Sequence, residues 1–205
     1  MIELIDNLIQ MSIMAVVFSI SFFRGFFRTE SNGRRKWILT GLFVFEYFLG
    51  DLYSVLYLIF YNETPHYFYI AEISWYAAFL FMILLLVNLS ERVPLKETIK
   101  AHPLFLIIPA FTVTMAVIFF VRNGDLIGNI ICVVIMTVLI WLAASGKGMI
   151  FKLCLVIAAL EYALWISSSL YWPGDTLGNP YFWIDTMLSV SLLWLIPAVG
   201  RAVKK

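Results

Sequence analysis

Long apolar stretches alternate with short polar segments along the whole chain. Seven of the apolar stretches reach the roughly 20 residues that a helix needs to cross a bilayer. Backbone polar groups in hydrocarbon must be satisfied within their own segment, so each stretch is predicted to be an α-helix. The pattern predicts an all-α integral membrane protein, a seven-transmembrane helix bundle in which residues 1–205 form a single domain. The predicted spans are 7–27, 37–60, 67–89, 103–121, 126–144, 150–171 and 181–200.

The basic residues are distributed unevenly between the two sides that these spans define. Hydrophobic residues make up 62% of the chain and charged residues only 13%. Of the 14 Lys and Arg residues, all except Arg122 fall on one side. Basic loops are retained in the cytoplasm, so the N-terminus is predicted to be outside and the C-terminus inside. The lipid bilayer is the first predicted partner.

Two hairpins of the predicted bundle resemble each other. Asp51 in span two and Glu72 in span three are separated by 21 residues, and Glu161 and Asp185 in spans six and seven by 24. Spans one to three and five to seven are then parallel repeats joined by span four, an arrangement in which transporters place their site at the repeat interface. Chance similarity between apolar helices is the alternative explanation.

Acidic residues inside the spans are the chemically informative feature. A charged side chain at the centre of a membrane helix costs roughly 2.5–3.5 kcal/mol on insertion scales. No span carries a basic residue at matching depth, so an ion, a lipid or a ligand must supply positive charge, or some acids are protonated because desolvation disfavours their charged form. The acids concerned are Glu46, Asp51, Glu72, Glu161 and Asp185.

Helical periodicity divides span two into a polar half and an apolar half. The polar half is expected to face the interior of the bundle and contains Glu46, Tyr47, Gly50, Asp51, Tyr53, Ser54 and Tyr57. The apolar half is expected to face lipid and contains Phe45, Phe48, Leu49, Leu52, Val55, Leu56, Ile59 and Phe60.

Aromatic residues share helix faces with the acids, which predicts a binding cavity open to the outside. Carboxylates together with aromatic faces suit a small cationic or amphipathic ligand from the external side. The alternative is packing alone, with Tyr and Ser as interhelical hydrogen-bond donors and with Trp37, Trp172 and Trp183 as interfacial anchors. The predicted ligand-binding residues are Asp51, Tyr57, Glu72, Trp75, Tyr76, Glu161, Trp165, Ser168, Asp185 and Ser189.

Other chemistries find little support in the sequence. His66 and His102 are predicted to lie on opposite faces of the membrane, so they cannot share a metal site. Cys132 and Cys154 fall inside spans, where a small apolar role is expected. No Gly-rich phosphate loop is present. The sequence therefore predicts no metal, no cofactor, no catalytic residue and no nucleic-acid partner. It does not favour an enzyme, but it leaves enzyme activity open.

Seven helices with an external N-terminus are similar in outline to rhodopsins. Microbial rhodopsins carry an Asp followed four positions later by the Lys that holds retinal. Here Asp185 is followed at that spacing by Ser189, and no Lys occurs within the interior of a span. The sequence excludes a Schiff-base chromophore, so the likeness is one of topology.

A second resemblance involves more residues. The runs Leu49-Gly50-Asp51-Leu52 and Ala71-Glu72, the loop with Pro65, and the aromatics Trp75-Tyr76 resemble the membrane-embedded sensor modules of some bacterial diguanylate cyclases. The likeness covers about 70 of 205 residues, and Glu72 stands where those modules have an Asp. It implies a sensor in the cytoplasmic membrane of a bacterium. No output domain is seen after Lys205, so we expect a free-standing module that signals through a cytoplasmic or membrane partner.

Two other functions remain open at this stage. A small-solute transporter would alternate access around Asp51 and Glu161, whereas a non-catalytic membrane subunit would use its polar faces to pack on a partner. A transporter needs polar groups along a path to the inside, and there Glu46 is the lone acid. This favours a closed pocket, and hence a receptor-like sensor.

Overall fold

The chain folds into apolar helices wherever its structure is described. The computed structural model describes residues 2–27, 30–61, 69–90, 113–114, 117–118, 121, 126–171 and 178–204. The helices are α1 (Ile2–Phe26), α2 (Ser31–Tyr61), α3 (Tyr69–Ser90), α4 (Leu126–Ser145), α5 (Met149–Tyr171), α6 (Pro180–Leu193) and α7 (Leu195–Val203).

The described helices match six of the seven predicted spans. Helices α1, α2, α3 and α5 and the continuous stretch Pro180–Val203 are each long and apolar enough to cross a membrane. The apolar part of α4 is shorter, Ile130–Ser145. The predicted span 103–121 lies almost entirely outside the described residues. The described chain is thus a multi-pass bundle with five helices long enough to cross a membrane and one shorter apolar helix, and the seventh span stays a prediction.

The last span is interrupted near its middle. The prediction for 181–200 was one continuous helix, but a turn at Trp194 separates α6 from α7. Pro197 lies in the first turn of α7, where proline is tolerated. It has no N–H to donate to the carbonyl of Leu193 four residues earlier, so the helical ladder is broken at this point.

The outer surface of the bundle is apolar. Large side chains that are exposed include Ile9, Phe23, Phe60, Ile73, Leu84, Val134, Val156 and Met187, which come from six different helices. A surface of this kind is stable in hydrocarbon and would associate in water. Together with the helix lengths, this indicates that the protein resides in a lipid bilayer.

The helices pack in a ring that follows chain order. Each helix from α1 to α6 contacts the next one, and α6 returns to contact α1. Helix α7 packs across one end of the ring, against α1, α2 and α5. Helices α2 and α5 therefore face each other across the bundle, with the buried apolar core between them.

Basic residues gather where α1 ends, α2 and α5 begin and α7 ends. A Cβ atom at Gly200 would lie 3.8 Å from Arg24 Nη1 and 3.9 Å from Trp37 Cζ2, so these three helix ends meet. Arg201 Nη1 lies 3.2 Å from Met149 Sδ at the start of α5. Within the described ranges, every Lys and Arg lies at or near these helix ends. One end of the bundle is therefore basic.

Two expectations about helix faces are wrong. Phe48 and Val55 were expected to face lipid, but Val55 is buried and the Phe48 ring packs with its centroid 6.4 Å from that of Phe18 in α1. Trp37 was expected to be an interfacial anchor, yet only 1% of its surface is exposed because α1 and α7 cover it. Trp183 is 52% exposed, as an anchor would be, and Trp172 lies outside the described residues.

Candidate functional site

A buried hydrogen bond joins the two helices that face each other across the ring. The hydroxyl of Tyr47 on α2 donates to Glu161 Oε2 on α5 at 2.7 Å. Only 3% of Glu161 and 6% of Tyr47 are exposed. A carboxyl group this deeply buried requires such a donor, because burying a polar group without a hydrogen bond is costly. The bond thus holds the predicted site residue Glu161 at the centre of the bundle.

Asp51 is contacted by Trp75, a predicted site residue from the neighbouring helix. The indole N–H of Trp75 on α3 donates to Asp51 Oδ1 at 3.4 Å, a long bond. The other carboxyl oxygen, Oδ2, is buried and has no hydrogen-bond partner in the described structure. An orphaned carboxyl oxygen is costly if charged, so this side of Asp51 is suited to a proton or a cation.

Gly50 allows the close approach of α3 to α2 beside Asp51. A Cβ atom at Gly50 would lie 2.5 Å from Trp75 Nε1 and 2.8 Å from its Cδ1. Real Cβ contacts essentially never come so close. The absence of a side chain at Gly50 therefore positions the indole over Asp51.

The third acid is held by a glutamine from α1. Gln10 Nε2 donates to Asp185 Oδ2 at 2.7 Å and to Asp6 Oδ2 at 2.9 Å, which uses both of its N–H groups. Gln10 is itself buried, with 4% exposed. A single neutral amide thus bridges two carboxyl groups and connects α1 to α6.

These carboxyl groups form one electrostatic cluster, which we call the acidic cluster: Asp6, Asp51, Glu161 and Asp185. Asp51 lies within electrostatic range of the other three, and Glu161 within range of Asp185. The donors in the four hydrogen bonds, Gln10, Tyr47 and Trp75, are all neutral. In the described part of the chain, the charges near Asp51 and Glu161 are all negative. Carboxyl groups this close together in hydrocarbon do not all ionise unless a cation lies between them. Without a cation, at least one of them keeps its proton.

Four other predicted site residues lie on α3, α5 and α6. Trp165 is one turn from Glu161, and its side chain also hydrogen-bonds to that carboxyl. Glu72 is half-buried in the first turn of α3. Ser189 is buried one turn from Asp185. The backbone of Ser168 continues α5, but its side chain lies outside the described structure.

Tyr76 contacts α4, and Tyr57 packs against residues of its own helix. The Tyr76 hydroxyl donates to the carbonyl of Gly128 on α4 at 3.2 Å, a bond that fixes α3 against α4. The Tyr57 ring packs between Tyr53 and Tyr61 of its own helix, at centroid distances of 6.1 and 4.7 Å. Six residues beyond Asp51, it lies about 9 Å further along the helix axis. These contacts are with α4 and within α2, and the ligand-binding role of the whole set stays a prediction.

Sequence reasoning left three members of this arrangement out of the site. Tyr47 was placed on the polar face of its span but not chosen as a site residue, although its position four residues before Asp51 indicated the same face. Gln10 is a neutral amide near the start of an apolar run, and a search for acids does not detect it. Asp6 precedes the first predicted span, which begins at residue 7, so a search for acids inside the spans does not find it.

Two grooves of the described structure lie away from the acidic cluster. One, of about 510 Å³, is at the basic end and includes Arg24, Trp37, Gly200, Arg201 and Lys204. The other, of about 470 Å³, is an apolar groove between α1 and the end of α6. The cavity predicted around the acids is therefore not among these two. No group of three His, Cys, Asp or Glu residues is arranged to hold a metal ion in the ranges that the structure describes.

Comparisons with protein-family models, with curated proteins and with solved structures found no match. The resemblance to the sensor modules therefore stays a prediction based on short motifs.

Proposed function

We propose that this chain is a seven-transmembrane, receptor-like sensor module of a bacterial cytoplasmic membrane, with its N-terminus outside, that binds a small monovalent cation or amine at the acidic cluster. The observation that carries the proposal is the electrostatic contact of Asp51, Glu161 and Asp185 from three different helices, together with the neutral donors Tyr47 and Trp75 that bond to Glu161 and Asp51. A cation there would offset the mutual repulsion of these carboxyl groups.

The same cluster suggests how binding would be transmitted. Its hydrogen bonds join α2 to α5, α2 to α3 and α1 to α6. A ligand that replaced one of these donors would shift the helices that the bond connects. The basic helix ends are on the other end of the bundle, which the positive-inside rule assigns to the cytoplasm, where a signalling partner would bind.

A transporter is the second candidate, and the Tyr47–Glu161 bond favours it. Helices α2 and α5 belong to different halves of the proposed three-plus-one-plus-three arrangement, so their acids lie where a site between repeats would be. Sensor and transporter share the binding step and differ in whether the ligand crosses the membrane.

The test is thermal unfolding of the purified protein in detergent with sodium, potassium, ammonium or tetramethylammonium chloride at constant ionic strength. A cation that binds the folded state raises the unfolding midpoint by mass action. We expect this shift in the wild type and its loss in Asp51→Asn and Glu161→Gln. Glu46→Gln is the matched control, because it removes a half-buried carboxyl from the same helix as Asp51.

Each outcome separates the candidates. Equal shifts in wild type and both cluster variants would remove the acidic cluster as the site. The absence of any shift, with Glu161→Gln more stable than wild type, would favour a non-catalytic subunit whose protonated acids serve packing. If a cation binds, its uptake into liposomes would indicate the transporter, and its retention outside would indicate the sensor.

A further inference from the structure

The groove at the basic end has the properties of an anion site. Arg24, Arg201 and Lys204 all line it, and none of the described residues that line it is acidic. Three positive charges around a space of about 510 Å³ repel one another, and an anion between them would offset this repulsion. The groove is far from the acidic cluster along the helix axes, so its role is independent of the function proposed above.

A buried indole adds a directed donor to this charge. Trp37 is 99% buried, and its Nε1–H has no hydrogen-bond partner in the described structure. Trp37 Cζ2, on the same edge of the indole as Nε1, would lie 3.9 Å from a Cβ at Gly200, so this edge faces the groove wall formed by α7. Arg24 stacks over the same ring at 4.9 Å from its centroid. An unpaired buried N–H is costly and therefore calls for an acceptor.

The residues around the groove suit a lipid with an anionic headgroup better than a soluble anion. Phe23 and Phe27 also line it, and they are 64% and 73% exposed. Their rings pack against each other with centroids 4.5 Å apart, which makes an apolar wall beside the charges. The groove lies at helix ends, at the depth where phospholipid headgroups meet acyl chains. Basic pockets between helices at this depth are suited to anionic headgroups.

We infer that this basic groove binds the phosphate group of an anionic phospholipid, with Arg24, Arg201 and Lys204 around the phosphate and Trp37 Nε1–H donating to one of its oxygens. The acyl chains lie against Phe23 and Phe27. Such a lipid would tie α7 to the ends of α1 and α2.

The test is a titration of the purified protein in detergent with palmitoyl-oleoyl phosphatidylglycerol. Two quantities are measured at each lipid concentration: the midpoint of unfolding, and the amount of bound lipid by native mass spectrometry. The triple variant Arg24→Gln/Arg201→Gln/Lys204→Gln is compared with Arg34→Gln/Arg35→Gln/Lys152→Gln. The control removes the same number of charges from exposed positions at the same end, outside the groove. We expect the groove variant to lose more than about tenfold in affinity, since each basic residue contributes about fivefold, and the control to lose little.

Two single variants keep the test valid if the triple variant does not fold. Lys204→Gln changes a residue just beyond the last helical residue and leaves the packing intact. Trp37→Phe removes the N–H but also replaces the buried indole by a smaller phenyl ring, so its packing loss is measured separately as the unfolding midpoint of the lipid-free protein. Each is expected to weaken lipid binding, Trp37→Phe by roughly twofold to tenfold. Equal affinity for phosphatidylcholine, an equal shift with inorganic phosphate, or equal losses in the groove and control variants would each overturn the inference.

Discussion

The acidic cluster and the basic groove hold their charged groups in opposite ways. In the cluster, Tyr47, Trp75 and Gln10 from neighbouring helices donate to the carboxyl groups, so the polar atoms are packed into the bundle. In the groove, Arg24 and Lys204 are exposed at helix ends, and the buried Trp37 N–H is left without a described partner. The difference follows from depth: polar groups within hydrocarbon must be satisfied by the protein, whereas those at the rim can be satisfied by water or headgroups.

The comparison predicts that packing near the cluster tolerates no added atom, whereas packing at the groove does. Gly50→Ala places a Cβ 2.5 Å from Trp75 Nε1, so we expect the indole to move and its bond to Asp51 to break. The expected loss in the free energy of unfolding is about 1–3 kcal/mol, typical of overpacking. The midpoint of unfolding in a dodecyl sulfate titration measures it.

Gly200→Ala is the matched control for this change. Its nearest contacts would be at 3.8 and 3.9 Å, which is ordinary van der Waals distance. It should leave stability unchanged or raise it by up to about 1 kcal/mol through helix propensity. Equal stability of the two alanine variants would contradict the difference in packing between the two regions.

A smaller effect is expected from removing one donor of the cluster. Tyr47→Phe keeps the ring and deletes the hydroxyl that donates to Glu161 at 2.7 Å. The expected cost is about 1 kcal/mol, in the range of interhelical hydrogen bonds in membranes. Tyr53→Phe, on the same helix, should cost less because Tyr53 is only half-buried.

A double-mutant cycle makes this prediction specific. In the Glu161→Gln background the Tyr47→Phe change should cost less, because the charged or protonated acceptor has been replaced. Additive effects of the two substitutions would show that Tyr47 donates no more strongly to the carboxyl group of Glu161 than to the amide that replaces it.

The smallest effect is expected at the basic groove. Arg24→Gln removes the cation that lies 4.9 Å from the centroid of the Trp37 ring. An exposed cation–π contact contributes about 0.5–1 kcal/mol, so the lipid-free protein should lose no more than that. Lys152→Gln, which removes an exposed charge nearby, should be neutral. A loss for Arg24→Gln above that of Gly50→Ala would reverse the proposed ranking of the two regions.

Much of the fold was predictable because membrane helices are recognised by length and apolarity alone. Six predicted spans agree with described helices, and α2 begins six residues earlier than its predicted start at 37 because Arg34, Arg35 and Lys36 extend the helix beyond its apolar part. The break at Trp194 was missed, since a single proline in an apolar run does not change hydropathy.

The candidate site was predictable only in part. Acids are so costly in hydrocarbon that Asp51, Glu161 and Asp185 could be chosen directly from the sequence. Trp75 was chosen for its face, and it does donate to Asp51. Gln10 and Tyr47 were missed as site residues because their importance depends on which helix lies opposite, and helical periodicity describes only one helix at a time.

By itself, the sequence determined that this protein is a multi-pass helical membrane protein, and it predicted that the basic residues fall on one side of the membrane and that a few acids within the spans form its site. Only the tertiary structure decided which donors meet those acids, that Val55 and Trp37 are buried, and that Arg24, Arg201 and Lys204 surround one groove. The reason is that hydropathy and helical period are local properties, whereas the ring order and relative rotation of the helices depend on contacts between residues as far apart as Gln10 and Asp185.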